Sequence, residues 1–344
     1  MSNKPLNDKN KVIIACAGSG KTTYLVEEAI KFRDQKLLLT TYTNENLQQI
    51  EDFFIARLGC VPSNITIRSW YTFLLQEGVR PYHNHMSNGR RIRSIFFQAK
   101  TTPYHKKDNY LTPLNDIYNN KVAEFVFECN KKSGSLVLKR LESIYDHIFI
   151  DELQDFAGYD LNVLEMLLES KINLIAVGDP RQGTFSTNHA SKNRQYRKSN
   201  IFVWIKGKEE KQLIAIEKKN DCYRCNQQIC DFADNIFPEL PKTKSFNTSV
   251  TGHDGVFCVQ RQEAREYIEK YRPTILRYNK NADTMGFSAF NIGLSKGKTY
   301  DRVIIFPTKP MLKYLKTKNP IDAGDKSKLY VALTRAKYSV AFII

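Results

Sequence analysis

The run Ala15-Cys16-Ala17-Gly18-Ser19-Gly20-Lys21-Thr22-Thr23 combines small side chains, two glycines, a lysine and hydroxyls. Such a run can hold a phosphate. Backbone N–H groups of a small-residue loop and of a following helix point at an anion, and glycine lets the backbone approach it. A lysine adds a point charge for β- and γ-phosphates, and the next hydroxyl can ligate Mg²⁺. Lys21 and Thr22 stand at those places, with Ala17, Gly18, Ser19, Gly20 and Thr23 completing the cradle; the first position is Ala15 where the general pattern has glycine. A second group, Asp151-Glu152, follows the apolar Ile148-Phe149-Ile150 directly. Carboxylates at the end of a buried strand are costly unless their charge is used. Asp151 is placed to hold Mg²⁺ through water, and Glu152 to polarise an attacking water. Gln182 is a neutral side chain able to contact both that water and a γ-phosphate. Together these residues predict binding of a nucleoside triphosphate with Mg²⁺.

To meet, these groups must share one edge of a sheet. Val12-Ile13-Ile14 reads as the strand entering the phosphate loop and Tyr24 to Phe32 as the helix leaving it. Lys36 to Thr43 and Ile65 to Arg68 read as strands, and Leu47, Ile50, Phe54 and Leu58 fall at helical spacing between them. His147 to Ile150 and Asn173 to Val177 are further strands around a helix at Leu161 to Leu168. This rhythm predicts an α/β fold with parallel sheets, whose ligands lie at the carboxyl edge. A second α/β unit is expected from near Lys211, with strands at Leu213–Ile216, Thr274–Leu276, Val303–Phe306 and Val340–Ile344 and helices at Cys225–Ile236 and Tyr330–Lys337. Between Val79 and Lys139 the rhythm breaks into a basic stretch holding Pro81, Pro103 and Pro113, read as an insertion with a helix at Val122–Cys129. The expected organisation is 1–78 with 140–210, an insertion at 79–139, and 211–344.

The formal charge of the 344 residues is +16, and it is unevenly placed. Val79 to Lys107 holds seven Lys/Arg and no Asp or Glu, and Arg181 to Lys208 repeats that count. Two such runs beside nucleotide chemistry point to a polyanion, nucleic acid above all. The seven cysteines are odd in number and irregularly spaced, which fits reduced thiols and a cytoplasmic setting. No apolar run approaches the roughly 18–20 residues of a membrane span, and Met1 to Lys11 lacks a signal-peptide core. No Ser-His-Asp triad, HExxH or nuclease-type carboxylate cluster stands out.

In sequence the chain resembles the UvrD/Rep-type helicases of superfamily 1. AGSGKTT (17–23) resembles their Walker A, TTYTNENLQQI (40–50) motif Ia, and IFIDELQD (148–155) Walker B in its DExQD form. AVGDPRQ (176–182) resembles motif III, KKNDCYRCNQQI (218–229) motif IV, LSKGKTYDRVII (294–305) motif V and LYVALTRAK (329–337) motif VI. The resemblance implies two tandem RecA-like domains with ATP between them. It makes Glu152 the general base, Gln182 the γ-phosphate sensor, and Arg224 and Arg335 arginine fingers. It also implies 3′→5′ movement on single-stranded DNA, with contacts expected at Tyr42, Thr43, Asn44, Tyr71, Phe185 and Lys296.

Several departures qualify the likeness. The glutamine that reads adenine in that family has no counterpart before Ala17, so GTP or dATP use is expected alongside ATP. Lys298-Thr299 replaces Leu-Glu in motif V, and Thr187-Asn188 stands where an aromatic and an arginine follow motif III. Only 70 residues separate Arg224 from Ser295, too few for the family's large insertion. These features also fit a nucleotide-gated DNA sensor that regulates a partner effector, such as a nuclease in antiviral defence; an RNA-directed ATPase is a third reading. Cys222, Cys225 and Cys230 would need a fourth ligand, His253 or Cys258, to hold zinc, and motif IV accounts for them without metal.

Overall fold

The computed structural model describes residues 9–97, 110–187, 191–319 and 321–344. Met1, Pro103, Lys107 and Asn188, named above, lie outside the described residues. The strands in chain order are β1 (Lys11–Ala15), β2 (Leu37–Thr41), β3 (Ile65–Ser69), the two-residue β4 (Ile95–Phe96) and β5 (Ile117–Tyr118), β6 (His147–Ile150), β7 (Asn173–Gly178) and β8 (Ala215–Lys219). They continue with the short β9 (Asp221–Cys222) and β10 (Lys244–Ser245), then β11 (Gly255–Val259), β12 (Thr274–Arg277), β13 (Phe290–Asn291), β14 (Tyr300–Phe306) and β15 (Ala336–Ile343).

Six strands form one sheet in the order β3-β2-β6-β7-β1-β8, with β2 parallel to β3 and β6, and β6 parallel to β7. All residues of β2 and β6 are buried, as befits parallel strands covered on both faces. β2 lies beside β6, and the residues that follow β6 are Asp151 and Glu152. β8 joins this sheet, displaced by two residues from the expected Leu213–Ile216 and hydrogen-bonded to the strand that precedes the phosphate loop.

A five-stranded sheet runs β11-β15-β14-β12-β13, and every pairing in it is parallel. Both sheets are thus of the expected α/β type. The contacts of the chain divide it into two compact units. One comprises residues up to Ile13, Lys21–Gly178 and Ser186–Glu217; the other comprises Ile14–Gly20, Asp179–Phe185 and Lys218–Ile344.

Local chemistry sets the helix limits. Helix Asn44–Leu58 starts where the Thr43 hydroxyl accepts the Asn46 N–H, and stops at Gly59 in the left-handed region. It buries Ile50 and Phe54 as the spacing predicts, but Leu58, in its last turn, is exposed. The helix expected at Tyr330–Lys337 instead spans Ala323–Leu333. The Thr334 hydroxyl donates to the Tyr330 carbonyl and closes the last turn, after which β15 takes Ala336 into the sheet. Between β3 and β6, where an insertion is expected, lie helices Val122–Lys132 and Leu136–Ile144 and the parallel pair β4/β5. Among the described residues no helix is long and apolar enough to cross a membrane.

Candidate nucleotide-binding site

In the first unit, Lys21 and Thr22 open the helix Lys21–Ile30, directly after the small-residue loop. The Thr22 hydroxyl donates to Asp151 Oδ2 at 2.7 Å. Asp151 is buried at the carboxyl end of β6, its N–H donating to the Thr40 carbonyl of β2 at 2.9 Å. Burial pushes its carboxyl up to about 6, the Glu152 charge adds to that, and the Thr22 hydrogen bond and Lys21 charge oppose it. A buried, incompletely neutralised carboxylate facing a hydroxyl is a donor set for a hard divalent cation. Mg²⁺ fits it, since Mg²⁺ takes one or two protein oxygens and leaves the rest of its shell to phosphates and water.

Glu152 has φ 60° and ψ 43°, left-handed backbone that a residue of its type seldom adopts. Its N–H donates to Asp151 Oδ1 at 2.8 Å, and its carboxylate accepts the Gln154 side-chain amide. Gln154 thereby fixes the direction of Glu152. Its place in the Asp-Glu-x-Gln-Asp run is visible in the sequence, but its role is not.

The second unit holds the loop itself. Gly18 and Gly20 have φ of 76° and 74°. A Cβ on Gly18 would lie 2.7 Å from Arg224 Cβ and 3.0 Å from Cys222 Sγ, so only glycine fits. The Tyr223 N–H donates to the Gly18 carbonyl at 2.9 Å, and the Ser19 hydroxyl donates to the Cys16 carbonyl at 2.8 Å. The Ala17 N–H donates to the Tyr330 hydroxyl at 3.3 Å.

From Tyr330 a buried network runs through the segment after β7. The Arg181 guanidinium lies over the Tyr330 ring, 5.1 Å from its centre, and its Nε donates to Asp179 Oδ1 at 2.8 Å. The Gln182 amide donates to Asp179 Oδ2 at 3.0 Å, and Arg335 Nη2 donates to Gln182 Oε1 at 3.3 Å. Arg181 also pairs with Asp234 at 3.4 Å. Arg335 donates further to the Val331 and Lys298 carbonyls, and Arg224 donates to the Thr334 carbonyl at 3.0 Å. Thus Gln182, Arg335, Arg224 and Ala17 to Gly20 belong to one constellation. Asp179, Arg181, Tyr330 and Asp234 support it, and sequence reasoning assigned them nothing.

The proposed strand-contacting residues divide. In the first unit, the Tyr42 hydroxyl donates to Asp160 Oδ2 at 3.1 Å and the Tyr71 hydroxyl donates to the Thr187 carbonyl at 3.0 Å. Their rings meet edge to face at 5.3 Å. Asp160 also accepts from Trp70 Nε1 and the Thr187 hydroxyl. Burial raises both tyrosine hydroxyls above their ordinary range. Both side chains are half-buried, with their hydroxyls engaged by protein partners. Thr43 and Asn44 are exposed at the helix start, Thr43 as its cap. In the second unit Phe185 is 55% exposed and Lys296 is half-buried. Cys222, Cys225 and Cys230 are buried free thiols, and the described residues contain no cluster of His, Cys, Asp and Glu able to hold a metal ion.

Two family models match the chain. The viral superfamily 1 RNA helicase core domain matches residues 112–344, and an AAA domain matches residues 2–187. No curated protein matches. Among solved structures, the chain is similar to arterivirus nonstructural protein 10 (helicase) in complex with DNA, at TM-score 0.50 and 14% identity over 99% of this chain and 62% of that one. The same helicase in a second crystal structure aligns at TM-score 0.49 and 14% identity, over 99% and 60%. The chain therefore spans about three fifths of the length of that helicase, and the likeness is one of fold. With more than half of its residues matched by that model, the chain belongs to the viral superfamily 1 RNA helicase core domain family.

Proposed function

We propose that the chain hydrolyses ATP and couples the cycle to movement along a single strand of nucleic acid, displacing a complementary strand. The Thr22–Asp151 hydrogen bond beside Lys21 carries the reading, because it joins a phosphate loop to a cation-holding carboxylate. In this reading Lys21 steadies the β- and γ-phosphates while Thr22 and Asp151 hold Mg²⁺, which when bound neutralises charge on the β- and γ-oxygens. Glu152, oriented by Gln154, takes the proton of the attacking water, and Gln182 orients that water. Arg224 and Arg335 stabilise charge on the γ-phosphoryl group, a contribution of roughly 10³–10⁵ in rate for an arginine of this kind. Thr43, Asn44, Phe185 and Lys296 contact the strand.

The DExQD form of residues 151–155 supports assignment to the UvrD/Rep branch and a 3′→5′ direction. RNA is the second reading for the strand, favoured by the description of the family matched over residues 112–344; the complex of the arterivirus helicase with DNA favours the first.

Hydrolysis measured without strand, with single-stranded DNA and with single-stranded RNA tests the proposal, with Lys21→Ala as the blank. Strong stimulation by one strand type is expected, and GTP in place of ATP reads base choice. Turnover indifferent to either strand would sink the translocase reading in favour of the partner-gated sensor. Duplexes tailed on one end then give direction; displacement from a 5′ tail alone removes the chain from the UvrD/Rep branch.

A further inference from the structure

The insertion carries a cavity of about 410 Å³ in the first unit, lined by Arg80, Arg91, Ile92, Arg93 and Asn115. Three guanidinium-bearing side chains and one amide around such a volume suit a phosphate with its sugar, since small-molecule sites begin near 300 Å³. All three arginines are exposed, while Ile92 is buried and anchors the segment. The opposite wall is held by the backbone: the Arg93 N–H donates to the Asn115 carbonyl at 3.1 Å, and Arg80 donates to the Arg93 carbonyl. The ion pairs of the surrounding described residues run elsewhere, from Arg68 and Arg140 to Glu77, from Lys121 to Glu124 and from Lys131 to Glu128. They leave Arg80, Arg91 and Arg93 without a carboxylate partner among the described residues. Asp116, next in sequence to Asn115, accepts the Ser94 hydroxyl at 2.6 Å.

Four residues beyond Arg93, on the same short segment, Phe97 is 64% exposed, and Phe96 beside it is 47% exposed. Large apolar rings left in water next to unpaired cations form the pairing that single strands use, with bases stacking on rings and phosphates meeting cations. The Phe97 ring is fixed edge to face against Tyr71 at 5.4 Å, and Phe96 against Tyr118 at 5.9 Å. These rings are therefore held in place, and a base can stack on them at little ordering cost.

We infer that the insertion is a second nucleic-acid site, in which Arg80, Arg91 and Arg93 take backbone phosphates and Phe97 stacks an unpaired base. The inference deepens the proposed function by naming strand contacts outside the helicase motifs, but it does not depend on hydrolysis. Guanidinium groups and a phenyl face read no sequence, so binding there is sequence-independent and salt-sensitive.

The test is binding of a fluorescent 20-nucleotide single strand, as DNA and as RNA, to the full chain without nucleotide across a salt series. Arg91→Ala with Arg93→Ala is expected to weaken binding about tenfold or more and to flatten the log–log salt slope by roughly 0.7 for each arginine removed. Phe97→Ala is expected to cost about fivefold or more while leaving the salt slope unchanged. Strand-free ATP hydrolysis of each variant, expected unchanged, controls for folding. Free pyrophosphate that competes with the strand in the wild type but not in the arginine variant supports the site. Wild-type affinity and slope in the arginine variant overturn this inference alone, whereas a wild-type chain that binds neither strand overturns the proposed function with it.

Discussion

Arg335 donates to Gln182 across 3.3 Å, and both side chains are buried. Gln182 is held at its other end by Asp179, so its amide has one orientation available. Arg335→Ala removes both a cation and half of that clamp, and kcat should fall about 10³-fold or more. Gln182→Ala should cost about 10²-fold. Because the two share a bond, the double variant should lose little beyond Arg335→Ala. Steady-state hydrolysis measures this, and strictly multiplicative losses would show that the residues act independently.

Gly18 and Gly59 make a matched pair, with φ of 76° and 77°. A Cβ at Gly59 meets nothing within 4 Å, whereas at Gly18 it meets Arg224 and Cys222. Gly59→Ala should cost only backbone strain, about 1 kcal/mol. Gly18→Ala should cost more, about 2–3 kcal/mol, and should also abolish nucleotide binding. Denaturant midpoints with fluorescent-nucleotide titration separate the two effects; equal midpoints would count against the steric argument.

Asp151 gives the nucleotide site a pH dependence. Its carboxyl sits at about 6 when folded, against an ordinary 3.8, so the folded protein binds more protons between those values. The contribution of this group to stability therefore falls as pH rises from about 4 to about 6 and is level above. A cation at Asp151 must displace that proton. Affinity for Mg²⁺-nucleotide should then drop about tenfold per pH unit below 6, and be flat above. Asp151→Asn should bind weakly with that pH dependence removed, while Lys21 and Glu152 remain. A wild-type titration unchanged from pH 5 to 7.5 would contradict the assignment.

Asp160 collects three donors, from Trp70 at 2.8 Å, Thr187 at 2.7 Å and Tyr42 at 3.1 Å. Asp160→Ala strands all three in a buried site and should destabilise the chain by about 3 kcal/mol or more. Tyr42→Phe keeps the ring and should cost about 1 kcal/mol with strand affinity unchanged. A marked loss of strand binding in Tyr42→Phe, at near-native stability, would restore Tyr42 to a direct contact. Thermal melts and strand titrations decide.

Much of the fold is legible because parallel strands are buried on both faces and so appear as unbroken apolar runs: Leu37 to Leu39, Ile148 to Ile150 and Leu174 to Val177 all became strand. The phosphate loop and the acids after β6 are legible for a related reason, since their chemistry is compressed into adjacent residues. What escaped is chemistry assembled across the sheet. Tyr42 reads as a strand contact by its place in the motif until Asp160, 118 residues away, takes its hydroxyl. Tyr330 reads as one more apolar helix position until Arg181 lies on its ring and Ala17 reaches its oxygen. The helix expected through Lys337 fails because propensity alone cannot see Thr334 close the turn before β15.

The cysteines, unassigned in any site, supply a chronometer. Cys60 and Cys258 are exposed, while Cys16, Cys129, Cys222, Cys225 and Cys230 are buried. A thiol reagent should therefore consume two equivalents at once and the other five only as the chain opens. Three of those five follow one another, Cys222 at the end of β9, Cys225 in the turn after it and Cys230 in the helix Gln227–Asp234, and Cys16 lies in the phosphate loop. Their modification rate reads the opening of the loop's surroundings directly, and a bound nucleotide should slow it while leaving Cys60 untouched.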